Sequence, residues 1–209
     1  MTRVAILASG NGTDCEAVLE AVEQGRIHDA VVAIVVADRP AGVLERARRH
    51  GVKGLLVDRR SLGRASYDAA LRATMIEHRV DVIVLAGYLS VLDRETVARW
   101  RNHIINVHPS LIPAFCGHGF YGEHVHQAVL DAGVKLTGVT VHFVDEGTDT
   151  GPIIAQEAIP VLDDDDAASL GARVLEVEHR LLPWAVELYC RGRLSVDGHK
   201  VRIDKEEKT

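Results

Sequence analysis

The stretch AVVAIVVA, from Ala30 to Ala37, places eight apolar residues in succession. A half-exposed strand alternates apolar and polar residues, and an amphipathic helix spaces its apolar residues at three and four. This run does neither, which is the pattern of a strand buried on both faces of a parallel sheet. Similar runs stand on either side of it: Arg3–Ala8, Gly54–Val57, Val80–Ala86 and Ile104–His108, the last ended by Pro109. Between them lie helical patterns at Thr13–Gln24, Gly42–His50 (closed by Gly51), Arg64–His78 and Arg94–Arg101. Strand–helix repetition of this kind predicts an α/β fold, an open, mostly parallel twisted sheet with flanking helices, and places ligands at the carboxyl ends of the strands.

Beyond Pro109 the texture changes. Residues 110–123 (SLIPAFCGHGFYGE) read as a loop, and a helix is expected over His124–Ala132. Two longer strands follow, Thr137–Val144 and Pro152–Val161, and the alternation of the first is that of a half-exposed antiparallel strand. Asp163–Asp166 suit the N-terminus of the last long helix. Leu170, Val174, Val177, Leu181 and Leu188 give that helix an apolar stripe, and Pro183 is expected to kink it. Residues 192–203 read as a hairpin turning at Asp197-Gly198, and 204–209 as a frayed tail. The expected organisation is one unit over 1–203, with a Rossmann-like N-terminal half (1–109) and a C-terminal half (110–203) of longer antiparallel strands.

Composition narrows the function classes. The 209 residues are 47% hydrophobic and 26% charged, ordinary for a folded globular chain. A net charge of −6 without any basic run argues against a nucleic-acid partner. Anionic small ligands stay open, because backbone N–H groups and helix N-termini bind them without net positive charge. Cys15, Cys116 and Cys190 match neither a disulfide framework nor a zinc motif, and their odd number suits a reducing compartment. Residues 1–8 read as a strand and not a signal peptide, and the apolar stretch Val82–Leu92 is too short to span a bilayer. Together these point to the cytoplasm, with no membrane partner.

Three segments could carry chemistry. Ser9-Gly10-Asn11-Gly12-Thr13 sits where the first strand hands over to a helix, so it is either a phosphate cradle or a plain tight turn. A dinucleotide fingerprint would want a third glycine where Cys15 stands, although Asp38 lies where a ribose-binding acid would be. Asn106 and His108, two apart on one strand, project to the same face at its carboxyl end. An amide donor beside an imidazole suits acyl transfer, one for a developing oxyanion and the other for a proton. The acidic segment Asp145-Glu146-Gly147-Thr148-Asp149-Thr150-Gly151-Pro152 is either a solvated turn or the source of a carboxylate that orients His108. No His-x-x-x-His zinc pattern is present, so no metal is expected, and His103, His118, His124, His126 and His142 are assigned to loop and surface positions. Cys116 lacks an assigned base and is not taken as a nucleophile.

SGNGTD near the start, LAGYL at 85–89, INVHPSLIPAF at 105–115, GVTVHFVDEGTDTGPIIAQ at 138–156 and RVLEVEH at 173–179 occur in this order. Together they resemble the phosphoribosylglycinamide branch of the formyltetrahydrofolate-dependent formyltransferases, over residues 2–203. The resemblance implies transfer of a formyl group from 10-formyltetrahydrofolate, as cosubstrate, to the amine of phosphoribosylglycinamide in purine biosynthesis, by a monomer or homodimer. It also implies a catalytic trio of Asn106, His108 and Asp149. Gly10, Asn11, Gly12, Thr13 and Asp14 would hold the substrate phosphate, with Pro109 beside the substrate and Glu178 on its ribose. Arg64, the segment Leu89, Ser90, Val91 and Leu92, and the loop Asp145, Glu146, Gly147, Thr148 and Asp149 would hold the folate, with Asn106 touching it too. Three departures stand out: Asp14 where asparagine is usual, Ser90 where arginine is common, and FCGHGFYG in place of a shorter loop. Formyltetrahydrofolate hydrolases share the His-Pro-Ser-Leu run but carry an extra N-terminal regulatory domain. Initiator methionyl-tRNA formyltransferases carry a C-terminal RNA-binding domain, for which no room is expected here.

Overall fold

The structure, a computed structural model, describes residues 1–204. Of the tail expected over 204–209, only Asp204 lies within the described residues. In chain order the elements are β1 (Thr2–Ala8), α1 (Thr13–Glu23), β2 (Ala30–Ala37), α2 (Val43–Arg49), β3 (Gly54–Leu56), α3 (Arg59–Leu62), α4 (Arg64–Glu77), β4 (Val82–Leu85) and α5 (Arg94–Arg99). There follow β5 (Ile104–His108), α6 (Glu123–Asp131), β6 (Leu136–Phe143), β7 (Ile153–Pro160), α7 (Ala167–Cys190), β8 (Leu194–Asp197) and β9 (Lys200–Ile203).

One sheet holds all nine strands in the order β3-β2-β1-β4-β5-β6-β7-β9-β8. The first five pair in parallel. β6 then runs antiparallel to β5, and β7 antiparallel to β6. Strand order reverses between β1 and β4, and in open α/β sheets the carboxyl ends at such a switch point frame a crevice.

The period of two sorts each buried strand onto two cores. Val4 and Ile6 of β1 face one layer with Val18 of α1 and with Leu170, Val174 and Leu182 of α7. Ala5 and Leu7 face the other, with Tyr67, Leu71 and Met75 of α4 and Trp100 just past α5. A fully buried Leu or Val contributes about 1.5–3 kcal/mol, so these two layers fix the parallel strands firmly beneath the crevice. Four-residue α3, absent from the sequence reading, is capped by Asp58, whose side chain accepts from the Arg60 amide.

Three expectations are revised. β6 is not half exposed: after Leu136 every residue through Phe143 is buried. It is flanked by strands on both sides, and its Thr140 and His142 meet polar partners under cover and not water. The alternating strand is β7, with Gln156, Ala158 and Pro160 on its outer side. α7 runs unbroken through Pro183, so the proline costs one N–H donor toward the His179 carbonyl without ending the helix. The hairpin turns one residue later than expected, since Asp197 still pairs with Lys200. At the start of α7, Asp166 and Ser169 exchange side chain–backbone bonds as a capping box, as the aspartate run suggested.

Candidate active site

The carboxyl ends of β4 and β5 open into a cleft of about 1000 Å³. Its walls come from the segment after β4 (Tyr88–Leu92), the end of β5 (Asn106–Pro109), the glycine-rich loop 117–122, the loop 145–149 and one face of α7. Two β5 residues project into it for the reason read from the sequence: spaced two apart, they share a face.

Asn106 stands opposite His142 in the β5–β6 register, and its Nδ2 lies 3.1 Å from His142 Nε2. His142 Nδ1 lies 2.8 Å from the Phe143 carbonyl, which can only accept, so Nδ1 carries the proton and Nε2 accepts from the Asn106 amide. Burial pushes His142 below the ordinary histidine range, which keeps the ring neutral and suited to that role. One N–H of Asn106 is thereby committed, and the other is left for a ligand.

His108 is buried, with 4% of its surface exposed. Its Nε2 lies 2.9 Å from the Phe115 carbonyl and its Nδ1 lies 3.7 Å from Asp149 Oδ2. Asp149 sits at a φ of +57° and is steadied by the Gly117 amide, which donates to Oδ2 at 2.8 Å. Its other oxygen is 3.8 Å from His142 Nε2. The loop that presents it is closed by Asp145, whose Oδ1 accepts from the Gly147 amide at 3.0 Å and the Thr150 hydroxyl at 2.6 Å. The loop that presents the Phe115 carbonyl is braced from beneath. Thr140 donates to the Ser110 carbonyl at 2.7 Å, and Gln156 donates to the Ile112 carbonyl at 2.9 Å. An amide, an imidazole and a carboxylate from β5 and a distant loop thus meet at one wall of the cleft. That is the equipment for stabilising an oxyanion and moving a proton.

Glu178, Pro109, Asp14 and the segment Leu89–Leu92 also line the cleft. Gly10, Asn11, Gly12 and Thr13 do not: they form the turn entering α1, with Gly10 and Asn11 exposed. Gly12 has a φ of +75° and its Cα hydrogen faces Val43, where a Cβ would come within 2.4 Å. Arg64, expected on the folate side, is outside the cleft and pairs with Asp68 at 2.6 Å; the arginine on the cleft wall is Arg59, which donates to the Ser90 hydroxyl at 3.2 Å. Ser90 in turn donates to Asp38 at 2.5 Å. Asp38 is also held by two of the Arg39 guanidinium nitrogens, each at 3.0 Å. Burial works to raise its pKa, but the bonds from Arg39, Ser90 and Ser9 hold it below the carboxylate range. An acid so engaged is not free for a nucleotide ribose, and Cys15 is packed in the core with no exposed surface.

The sequence reading missed His142 and His126, which had been assigned to loop and surface positions. Both are buried on the cleft wall. Burial pushes His126 below the ordinary histidine range; its Nδ1 has no hydrogen-bond partner among the described residues. Its ring packs on Gly171 of α7, where a Cβ would come within 3.0 Å. Among the described residues no group of three or more His, Cys, Asp or Glu side chains is placed to hold a metal ion, and no helix is long and apolar enough to cross a membrane.

A mostly parallel sheet with an Asn-x-His pair at the end of its fifth strand, and a carboxylate delivered opposite, is an α/β fold with a site suited to acyl transfer. The profile of the formyl transferase family matches residues 2–186, and the chain belongs to that family. It is 38% identical over 193 residues to the chloroplastic phosphoribosylglycinamide formyltransferase of Vigna unguiculata, covering 92% of this chain and 62% of that one. To the phosphoribosylglycinamide formyltransferase of Bacillus subtilis it is 36% identical over 189 residues, 90% of this chain and 94% of the relative. It thus spans less than two thirds of the Vigna protein and about a fifth or less of the trifunctional purine biosynthetic relatives it also matches. Its fold superposes on the crystal structure of glycinamide ribonucleotide transformylase 1 from Symbiobacterium toebii with a TM-score of 0.92 at 42% identity, over 98% of this chain and 95% of that one.

Proposed function

We propose that this chain transfers the formyl group of 10-formyltetrahydrofolate to the amine of phosphoribosylglycinamide, in the cytoplasm. What carries the proposal is the meeting of the Asn106 amide, the His108 imidazole and the Asp149 carboxylate on one wall of a cleft large enough for two small ligands. Family membership and the names of the full-length relatives support the choice of donor and acceptor.

In this mechanism the acceptor amine attacks in its neutral form. An amine of pKa about 8 leaves roughly a tenth of the molecules neutral at pH 7. A carbon–nitrogen bond forms to the formyl carbon, and its oxygen becomes an oxyanion. The uncommitted N–H of Asn106 and an N–H of charged His108 stabilise that oxygen, each such donor being worth about 3 kcal/mol. Asp149, facing His108 Nδ1, orients the ring and balances its charge. The bond to the folate nitrogen then breaks, and the proton lost by the amine ends on that leaving nitrogen, with His108 placed to carry it. Asp14 and Glu178, both on the cleft wall, take the phosphoribosyl end, and Leu89–Leu92 with the 145–149 loop take the pterin.

The test is a spectrophotometric transfer assay with phosphoribosylglycinamide and a 10-formyl folate. Formylated acceptor should accumulate in step with deformylated folate. Formate release without a formylated acceptor would replace transfer by hydrolysis.

A further inference from the structure

We propose that a basic cavity beside the cleft receives the carboxylates of the donor's glutamate tail beyond its first residue, so that this chain takes a poly-γ-glutamylated folate in preference to the monoglutamate. The proposal deepens the proposed function and rests on its placement of the donor along Leu89–Leu92.

The cavity, of about 170 Å³, is lined by Asp38, Arg39, Arg59 and Arg60. Arg59 lines the cleft as well, so the two spaces adjoin at its side chain. Among the described residues Arg59 is also the one lysine or arginine on the cleft wall, where the other ionisable groups are carboxyl, histidine and tyrosine side chains. An anion that needs a permanent cation is drawn to that end of the cleft. Arg59 donates to Ser90, within the segment that takes the pterin, so of the two ligands the donor is the one beside it.

The arginines are held from beneath. Asp38 is 1% exposed, and its carboxylate is committed to Arg39 and to the Ser90 hydroxyl. Ser90 accepts from Arg59, and the Arg59 amide donates to the Asp38 carbonyl at 3.0 Å, which ties the start of α3 to the end of β2. Asp58, the cap of α3, is spent on the Arg60 amide and the Ser61 hydroxyl. Even with both aspartates counted, three guanidinium groups leave the cluster a positive excess. The bond to Ser90 is the only side-chain hydrogen bond that Arg59 makes among the described residues, and Arg60 makes none. Guanidinium groups oriented in this way, with N–H donors to spare, suit carboxylates, which they bind through paired N–H bonds. Each γ-linked glutamate added to the donor brings one more carboxylate and no cation. The first glutamate meets Arg59 at the junction, and later ones enter the cavity along Arg39 and Arg60.

The experiment measures the steady-state KM of monoglutamyl and triglutamyl 10-formyltetrahydrofolate, and of phosphoribosylglycinamide, for wild type, Arg59→Ala, Arg59→Lys and Arg60→Ala. Wild type should take the triglutamyl donor at a KM about fivefold lower, the size expected of exposed ion pairs. That advantage should fade in about 0.5 M salt, where charges are screened within a few ångströms. Arg60→Ala should reduce the ratio to about twofold. Arg59→Ala should raise the KM of both donors about tenfold, with the acceptor KM within a few-fold of wild type, and Arg59→Lys, which keeps the charge, should recover part of that loss. Equal KM values for the two donors in wild type, or a ratio that neither salt nor Arg60→Ala changes, would overturn the proposal while leaving the transfer reaction intact. A rise in the acceptor KM alone in Arg59→Ala would give the cation to the phosphate and overturn it as well. Formyl transfer from neither donor would instead remove the proposed function, and this proposal with it.

Discussion

β5 and β6 lie side by side, in register, yet they meet the demands of burial differently. β5 is a parallel strand whose apolar residues Ile104, Ile105 and Val107 face the cores and whose last polar residues emerge at the carboxyl end. β6 runs the other way and buries Thr137, Thr140 and His142 along its length. Those residues are tolerated because they are spent: Thr140 on the Ser110 carbonyl, and His142 on Asn106 and Phe143. Thr137 is the exception, with a buried hydroxyl that has no partner among the described residues. One strand presents Asn106 and His108 to the cleft, and the neighbouring strand holds the Asn106 amide in orientation.

Substitutions on either strand test this division of labour. Asn106→Ala removes a presented donor and should lower kcat about 10²–10³-fold with little change in KM; a loss confined to KM would make Asn106 a binding residue only. Gly138→Ala strikes the holding strand, where an added Cβ would stand 2.0 Å from the Glu157 carbonyl oxygen. Backbone must move there, so a loss of about 1–3 kcal/mol in chemical denaturation is expected. Gly10→Ala, with nothing within 4 Å of the added Cβ, should leave stability nearly unchanged. Equal effects at the two glycines would mean that β6 is not held as tightly as described.

His142→Phe joins the two strands. Losing the acceptor for Asn106 should cost about 1 kcal/mol, roughly fivefold in kcat. It should also change how stability depends on pH. Burial lowers the pKa of folded His142, so between that value and the unfolded value of about 6.5 the unfolded chain binds more protons. Stability is therefore lost as pH falls below about 6.5, and the variant should show a shallower loss in thermal melts over that range. An unchanged slope would point to His126, which burial lowers in the same direction.

The same contrast explains what could be read before the fold was seen. Ala30–Ala37 was legible to the residue because a strand buried on both faces leaves an unbroken apolar run, Ile104–His108 because Pro109 ends it, and the shared face of Asn106 and His108 followed from their spacing. β6 misled because its alternation is that of a strand facing water, whereas its polar side faces the cleft. His142 was lost with it, and His126 on α6 was missed as well, since nothing local distinguishes a buried histidine from one in solvent. Arg64 and Arg59 were confused for a related reason: α3 is too short for periodicity to reveal, and it is α3 that carries Arg59 to the cleft. The capping aspartates, by contrast, were legible because a cap is a local interaction.

The central claim is that His108, set between the Phe115 carbonyl and Asp149, does the chemistry. Its most direct test is the steady-state rate of formyl transfer by His108→Ala, with circular dichroism to establish that the variant is folded. A fall in kcat of about two orders of magnitude or more, with KM for both substrates within a few-fold of wild type, is the expected result. A folded His108→Ala that turns over near the wild-type rate would contradict it.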